Sequence, residues 1–150
     1  MNMLSDICPR QQFTKIANYF ELLTPQSVEQ IKNYYSASAR FKDPFNDVQG
    51  VAEIERIFQH MYVSLNNPRF VITATVVDGS QAFFTWEFKF RFKRFDTTTE
   101  QVILGASHLV IDDQNLISLH RDYWDAAEEL YQKLPVIGSL MRWIKKRVSS

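Results

Sequence analysis

The chain has 150 residues, 45% of them hydrophobic, and its seventeen Lys and Arg balance seventeen Asp and Glu. This length predicts one domain with a sizeable core, and a chain without a basic excess is not typical of a dedicated nucleic-acid binder. The single cysteine, Cys8, excludes an intrachain disulfide framework and a multi-cysteine zinc site. The sequence has neither a run of about 18 apolar residues nor a secretory signal, so we expect a cytoplasmic protein.

Apolar stripes that repeat every three or four residues predict helices in the first half of the chain. The first helix covers about residues 10–23, and its stripe is Phe13, Ile16, Tyr19, Phe20 and Leu23. A second, short helix follows the cap-like pair Thr24-Pro25, and its stripe is Val28, Ile31 and Tyr35.

A short strand is predicted over residues 36–43, ending at Asp43-Pro44, because proline cannot donate to a strand ladder. A loop over 45–50 leads to a third helix. The stripe of that helix is Ile54, Ile57, Phe58, Met61 and Leu65. The run Asn66-Asn67-Pro68 predicts its end.

The second half changes to the period of two that predicts strands. Residues 70–78 are rich in β-branched side chains and end at Asp78-Gly79, a hairpin signal. The next strand has one aromatic face: Ala82, Phe84, Trp86, Phe88, Phe90 and Phe92. Further strands are predicted over 101–111 and 116–124, with turns between them.

Helices followed by strands predict an α+β domain. Because the long apolar sheet face must be covered, we expect a cone-shaped, curved antiparallel sheet covered by the three N-terminal helices, with an apolar interior and a mouth. This domain covers residues 1–126. A C-terminal helical extension of the same domain covers 127–150, with a helix from an Asp125 cap to about Lys133 and a last helix over 138–147.

Three segments indicate a family. Residues 19–44 (YFELLTPQSVEQIKNYYSASARFKDP) and the helix start at 50–54 resemble bacterial ketosteroid isomerases, and HRDYWD at 120–125 resembles the last strand of SnoaL-like polyketide cyclases. All belong to the nuclear transport factor 2-like superfamily, which has a cone-shaped α+β fold. The resemblance covers about residues 10–126 and implies the fold more specifically than the activity, since the superfamily hosts several enzymes and plain binding proteins.

The resemblance implies roles for three residues. Tyr19 falls on the isomerase's oxyanion-hole tyrosine, Asp43 on its general-base aspartate, and Ser107 on the position of its proton-donating aspartate. A serine hydroxyl can donate a hydrogen bond but is no acid, which argues against steroid isomerisation itself. His120 and Asp122, two apart on the last strand, point to one face.

We therefore expect a pocket that holds Tyr19, Asp43, Ser107, His120 and Asp122. Its walls would be Trp86, Phe88, Trp124 and Phe58. Each polar residue also has a structural interpretation: Asp43 as a turn or cap, Tyr19 as a core tyrosine, and His120 with Asp122 as a hydrogen-bonded pair. His60 and His108 lack partners at metal-ligand spacing, so we expect no metal and no other cofactor.

The last segment, VIGSLMRWIKKRV, places Ile137, Leu140, Met141 and Ile144 on one side of a helix, with Trp143 at the edge. Four cations, Arg142, Lys145, Lys146 and Arg147, accompany them. Because the segment is short, we favour packing of its apolar side over the cone mouth. The alternative is a helix lying on an anionic membrane surface.

These observations favour a pocket for a hydrophobic, oxygenated small molecule, with Asp43 or Asp122 as the general base, Tyr19 and Ser107 as donors to the substrate oxygen, and His120 as a proton partner. The reaction would be a cofactor-independent isomerisation, cyclisation or dehydration by proton transfer. Two alternatives remain open: a non-enzymatic carrier of a lipid-like ligand, and an interaction module. The resemblance also implies a homodimer formed through the sheet faces.

Overall fold

The computed structural model of the chain describes residues 7–131 and 135–148. Its helices are α1 (Pro9–Glu21), a 3-10 helix (Ser27–Asn33), α2 (Val51–Ser64), α3 (Ala126–Glu129) and α4 (Pro135–Val148). Its strands are β1 (Tyr35–Lys42), β2 (Asp47–Gln49), β3 (Leu65–Asp78), β4 (Gln81–Phe92), β5 (Gln101–Ile111) and β6 (Ile117–Tyr123). The predicted α+β class is confirmed.

The six strands form one curved, unclosed sheet in the order β2-β1-β6-β5-β4-β3. The strands β3 to β6 form an antiparallel meander, and β1 pairs with β2 in the same antiparallel way. The pairing of β1 with β6 is parallel, so the predicted antiparallel arrangement holds for every pair of neighbouring strands except this one. Parallel neighbours need a long connection, and here the whole segment from β2 to β5 provides it.

The hydrophobic core lies between one face of this sheet and the helices α1 and α2. Phe13 of α1 meets Phe84 of β4 edge to face, with ring centroids 6.3 Å apart. The predicted alternation of β4 is confirmed, because Phe84 and Phe90 are buried while Thr85 and Arg91 are exposed. Each large side chain buried in this way contributes about 1.5–3 kcal/mol relative to exposure.

Two helix predictions need correction. The second helix is a 3-10 helix that ends at Asn33, and Tyr35 begins β1, where it pairs with Ile117. The third helix ends at Ser64, and β3 begins at once, although Pro68 lies within it. The sheet tolerates Pro68 because β3 is an edge strand, and the register of β3 shifts at this point. The loop predicted over 45–50 contains the short strand β2.

The C-terminal helices also differ from the prediction. Asp125 caps α3 as expected, since its carboxylate accepts hydrogen bonds from the backbone N–H groups of Ala127 and Glu128. This helix ends at Glu129, however, and residues 132–134 lie outside the described part of the chain. Leu140 and Trp143 of α4 are exposed. The expected packing of these side chains over the mouth is therefore wrong; the side chains of Ile137 and Met141 lie outside what the structure describes.

Candidate functional site

Two adjoining cavities lie between the sheet and the helices. The inner cavity, of about 30 Å³, and the outer cavity, of about 290 Å³, share the lining residues Phe58, Phe70, Trp86 and Asp122. The outer cavity has a wall of aromatic and aliphatic side chains, and Asp43 and Asp122 are its only charged lining residues within the described part of the chain. Asp122 therefore stands where a small apolar chamber meets a larger one.

The carboxylate of Asp122 is held from its own strand by His120. Because alternate residues of a strand face the same side, β6 presents both side chains to the cavities. His120 Nε2 lies 2.7 Å from Asp122 Oδ1. The other ring nitrogen, Nδ1, lies 2.5 Å from the hydroxyl of Tyr35 at the start of β1. Tyr35 is 1% exposed and His120 4%.

A second arm reaches the same carboxylate oxygen from β5 and β4. The hydroxyl of Ser107, which lies opposite Asp122 in the strand register, donates to Asp122 Oδ1. The indole N–H of Trp86 donates in turn to Ser107 Oγ over 2.9 Å. We name the five residues of the two arms, Tyr35, His120, Asp122, Ser107 and Trp86, the Asp122 network.

A glycine makes the position of Trp86 possible. Gly105 lies opposite Trp86 in the register of β4 and β5. A Cβ atom at position 105 would lie 2.3 Å from Cη2 of the indole ring, which is far inside van der Waals contact. The ring can therefore lie across β5 and reach Ser107 only because residue 105 has no side chain.

The partners fix the direction of each proton in the network. The only described partner of the buried Tyr35 hydroxyl is Nδ1 of His120, so the hydroxyl donates and Nδ1 accepts. With Nδ1 as the acceptor, His120 donates through Nε2 to Asp122. Burial, followed by the negative charge of Asp122, raises the pKa of Tyr35 well above its usual value, which keeps this donor protonated.

Both arms therefore end on one carboxylate oxygen. Asp122 Oδ1 accepts from His120 and from Ser107. Among the described residues, none donates a hydrogen bond to Oδ2, although the side chain lines both cavities. The carboxylate is thus oriented through one oxygen, while the other accepts from none of the described residues.

Asp43 lies in the wall of the outer cavity, but its carboxylate stabilises a turn. Its carboxylate accepts hydrogen bonds from the backbone N–H groups of Phe45, over 2.8 Å, and Asn46, over 2.7 Å, and from the side-chain amide of Asn46. This is an aspartate-initiated turn between β1 and β2. Both oxygens of Asp43 are therefore engaged in holding the turn.

The structure does not bring Tyr19 to this site. Its hydroxyl donates to the backbone carbonyl of Ser27 over 2.8 Å, and its ring stacks on Tyr34 with centroids 4.1 Å apart. Tyr19 is not among the residues that line either cavity. Its hydroxyl links α1 to the 3-10 helix. Contrary to the expectation, Tyr19 is therefore not in a position to donate to a substrate oxygen in the cavities.

The other expected residues lie where the pocket was predicted. Phe58, Trp86, Phe88 and Trp124 all line the outer cavity. Ser107 lines the inner one, but its hydroxyl donates to Asp122 instead of pointing free into the chamber. Sequence analysis missed Tyr35, which it assigned to a helical stripe. Simple alternation would not have found it, because Phe41, Ala39 and Tyr35 are buried while Ala37 between them is exposed.

The sequence of residues 16–120 matches the model of the SnoaL-like domain family. The chain belongs to this family. The matched range of the SnoaL-like domain contains Tyr35, Trp86, Ser107 and His120, and it ends two residues before Asp122. No curated protein matches the sequence.

Solved structures show the same fold for this SnoaL-like domain at low sequence identity. A protein of ketosteroid isomerase-like fold from Catenulispora acidiphila, solved with trimethylamine, is 17% identical, with a TM-score of 0.68 over 83% of this chain and 94% of that one. A protein described as a SnoaL-like polyketide cyclase from Shewanella putrefaciens is 15% identical, with a TM-score of 0.64 over 81% and 84%.

An epoxide hydrolase of the LEH-like type from Mycobacterium tuberculosis is also similar. It is 12% identical, with a TM-score of 0.65 over 91% of this chain and 96% of that one. At these identities the likeness concerns the fold, and the three proteins differ in what they are described as doing. The chemistry of this SnoaL-like domain has to be argued from its own residues.

Proposed function

We propose that this SnoaL-like domain is a cofactor-independent enzyme that moves a proton within a hydrophobic, oxygenated small molecule, as an isomerase or cyclase does, with Asp122 as the general base. One observation carries the proposal. Oδ1 of Asp122 receives two hydrogen bonds, Oδ2 receives none from the described residues, and the side chain lines an apolar chamber. A general base needs such an oriented oxygen, accessible to substrate and without a competing donor.

In the proposed reaction, one carboxylate both removes a proton from the substrate and returns it. Oδ2 of Asp122 removes a proton from a carbon that lies between a carbonyl group and a carbon–carbon double bond, and the electron pair of that C–H bond moves to give a dienolate. The carboxylic acid so formed then returns its proton to another carbon of the same substrate, which restores the carboxylate and completes an isomerisation. His120 and Ser107 keep Oδ1 in place through both steps, so the carboxyl group keeps its orientation while Oδ2 takes and returns the proton.

The network also supports the choice of Asp122 over Asp43. Asp43 accepts three hydrogen-bond donors within its own turn, and moving it would open the connection between β1 and β2. Asp122 is positioned by side chains from three other strands, and its side chain remains 16% exposed. The structure thus favours one of the two bases that the sequence leaves open.

A test of the proposal needs a substrate that reports on any well-placed base. A nitrobenzisoxazole serves this purpose, because removal of its ring proton breaks the N–O bond and releases a coloured cyanophenolate. We expect Asp122→Asn to lower the rate by about 100-fold or more, the usual contribution of a general base. The matched control is Asp43→Asn, which removes the other carboxylate of the same chamber and should keep most of the rate. Equal rates for the wild type and Asp122→Asn would refute the assignment.

A second candidate is a carrier for an apolar ligand, favoured by the apolar wall of the outer chamber. A fluorescent apolar dye that binds in this chamber distinguishes the two functions. A carrier binds the dye but shows no elimination activity above that of free acetate, and its affinity is unchanged in Asp122→Asn. An enzyme shows both binding and elimination.

A further inference from the structure

The C-terminal helix α4 presents an apolar side to solvent. Leu140 is 55% exposed, Trp143 55% and Ile144 39%. Leu140, Ile144 and Val148 follow one another at intervals of four residues, so they lie along the same side of the helix. Single exposed apolar residues are ordinary on a protein surface, but a row of them on one helix marks a contact face.

The same helix is strongly basic. It contains four of the seventeen Lys and Arg, namely Arg142, Lys145, Lys146 and Arg147, and none of the seventeen Asp and Glu. Since the chain as a whole has no net charge, this positive charge is a local feature. Among the described residues, no carboxylate forms an ion pair with Lys145, Lys146 or Arg147.

The aromatic residue lies at the boundary of the two sides. The guanidinium of Arg147 lies over the ring of Trp143, 5.0 Å from its centroid. Tryptophan beside a basic residue, next to an apolar row, is the side-chain arrangement of helices that lie in the headgroup region of a bilayer. A protein partner would need acidic groups set between apolar ones to match this pattern, whereas an anionic lipid surface matches it without a specific shape.

The length of α4 fits a helix that lies on a bilayer. Fourteen residues span about 21 Å, which is less than the hydrocarbon thickness of about 30 Å. No helix in the described part of the chain is long and apolar enough to cross a membrane. The contact would therefore be parallel to the surface.

We propose that α4 docks this domain on an anionic lipid surface, with Leu140, Ile144 and Val148 in the acyl boundary and the basic side chains on the headgroups. The helix begins four positions after Tyr131, whose ring packs against Phe45 of the outer cavity wall at 6.0 Å between centroids. Docking would place the chamber close to the lipid bilayer, in which apolar molecules dissolve. This last consequence, unlike the docking itself, rests on the function proposed above.

Vesicle sedimentation with the full chain tests the docking. We expect the wild type to pellet with vesicles of phosphatidylcholine and phosphatidylserine at low salt, and not with phosphatidylcholine alone. Lys145→Glu/Lys146→Glu should weaken the binding about tenfold or more, because each basic residue near an anionic surface adds to it. The matched control, Lys15→Glu/Lys32→Glu, makes the same change in net charge at exposed positions far along the chain and should leave the binding as it is.

The apolar row has its own variant, Leu140→Ser/Ile144→Ser, which should lower the binding to anionic vesicles while the charge is unchanged. Failure of the wild type to pellet, or equal loss in the two charge variants, overturns the proposal. A dimer in solution that Leu140→Ser/Ile144→Ser separates, without vesicle binding, would identify a second copy as the occupant instead. Asp122→Asn should pellet like the wild type, so loss of the proposed activity and loss of docking are separate results.

Discussion

The hydroxyl of Tyr35 lies 2.5 Å from Nδ1 of His120, on a strand that is parallel to the one carrying the histidine. This contact selects the tautomer of His120 that donates to Asp122. It therefore sets the direction of the hydrogen bonds in this arm, although Tyr35 is not among the lining residues of either cavity. Tyr35 is a positioning residue in this arrangement, and Asp122 is the base that we propose.

Tyr35→Phe should destabilise the fold and slow the reaction less than loss of Asp122 does. The change leaves the buried Nδ1 of His120 without its donor, which costs about 1–3 kcal/mol in the free energy of unfolding. Urea denaturation measures that cost. Tyr34→Phe is the control, because the ring at position 34 stacks on Tyr19 and its hydroxyl has no described hydrogen bond. A similar loss of stability in the two variants would contradict the buried Tyr35–His120 bond.

Ser107→Ala should affect both the base and the chamber wall. It removes one of the two donors to Asp122 Oδ1 and leaves the indole N–H of Trp86 without an acceptor. We expect a loss of about 1–3 kcal/mol in the free energy of unfolding and a lower elimination rate per folded molecule. Ser107→Thr, which keeps the hydroxyl, should recover part of the rate; no difference between the two variants would argue against a role for the hydroxyl.

Gly105→Ala should displace the indole of Trp86, because the new Cβ would meet the ring at 2.3 Å. Overpacking of this kind costs about 1–3 kcal/mol, and the altered chamber should bind the apolar dye more weakly. Gly79→Ala is the comparison: it strains a turn with a φ of +57° but has open space around it. That variant should lose stability with unchanged dye affinity. Unchanged dye affinity in Gly105→Ala would show that the ring adjusts.

The unfolding free energy should fall at alkaline pH in a way that depends on Tyr35. Burial raises the pKa of this tyrosine above its usual value of about 10. Above that pH the unfolded chain loses the proton while the folded chain keeps it, so the unfolded state binds fewer protons and stability decreases as pH rises. For one such group the slope is about 1.4 kcal/mol per pH unit. Denaturation midpoints between neutral pH and pH 11 should therefore fall less steeply in Tyr35→Phe.

The pattern of the sequence predicted the elements that have a clear period. The alternation in β4 identified a buried aromatic face, and Trp86 and Phe88 line the chamber as expected. The short strand β2 could not be predicted in this way, because three residues contain too little alternation. Its place depends on pairing with β1, which is a contact between segments and not a property of either one.

The candidate site was predictable in part for the same reason. The spacing of His120 and Asp122 placed them on one face of a strand, and they do lie together at the cavities. Tyr19 and Tyr35 could not be told apart by periodicity, since each fits a helical stripe. They differ because the 3-10 helix ends at Asn33, so Tyr35 belongs to a strand and not to a helix. The hydrogen-bond partners of Ser107 depend on strand register, which no local pattern specifies.

The parallel pairing of β1 with β6 joins the first strand of the chain to the last. Tyr35 and His120 are 85 positions apart, so the ribosome has released almost the entire domain before they can meet. Contacts between residues so far apart in the sequence cost loop-closure entropy and form late in folding. A nascent or truncated chain that ends after β5 would contain most of the aromatic residues of the chamber wall but would lack Asp122, the proposed base.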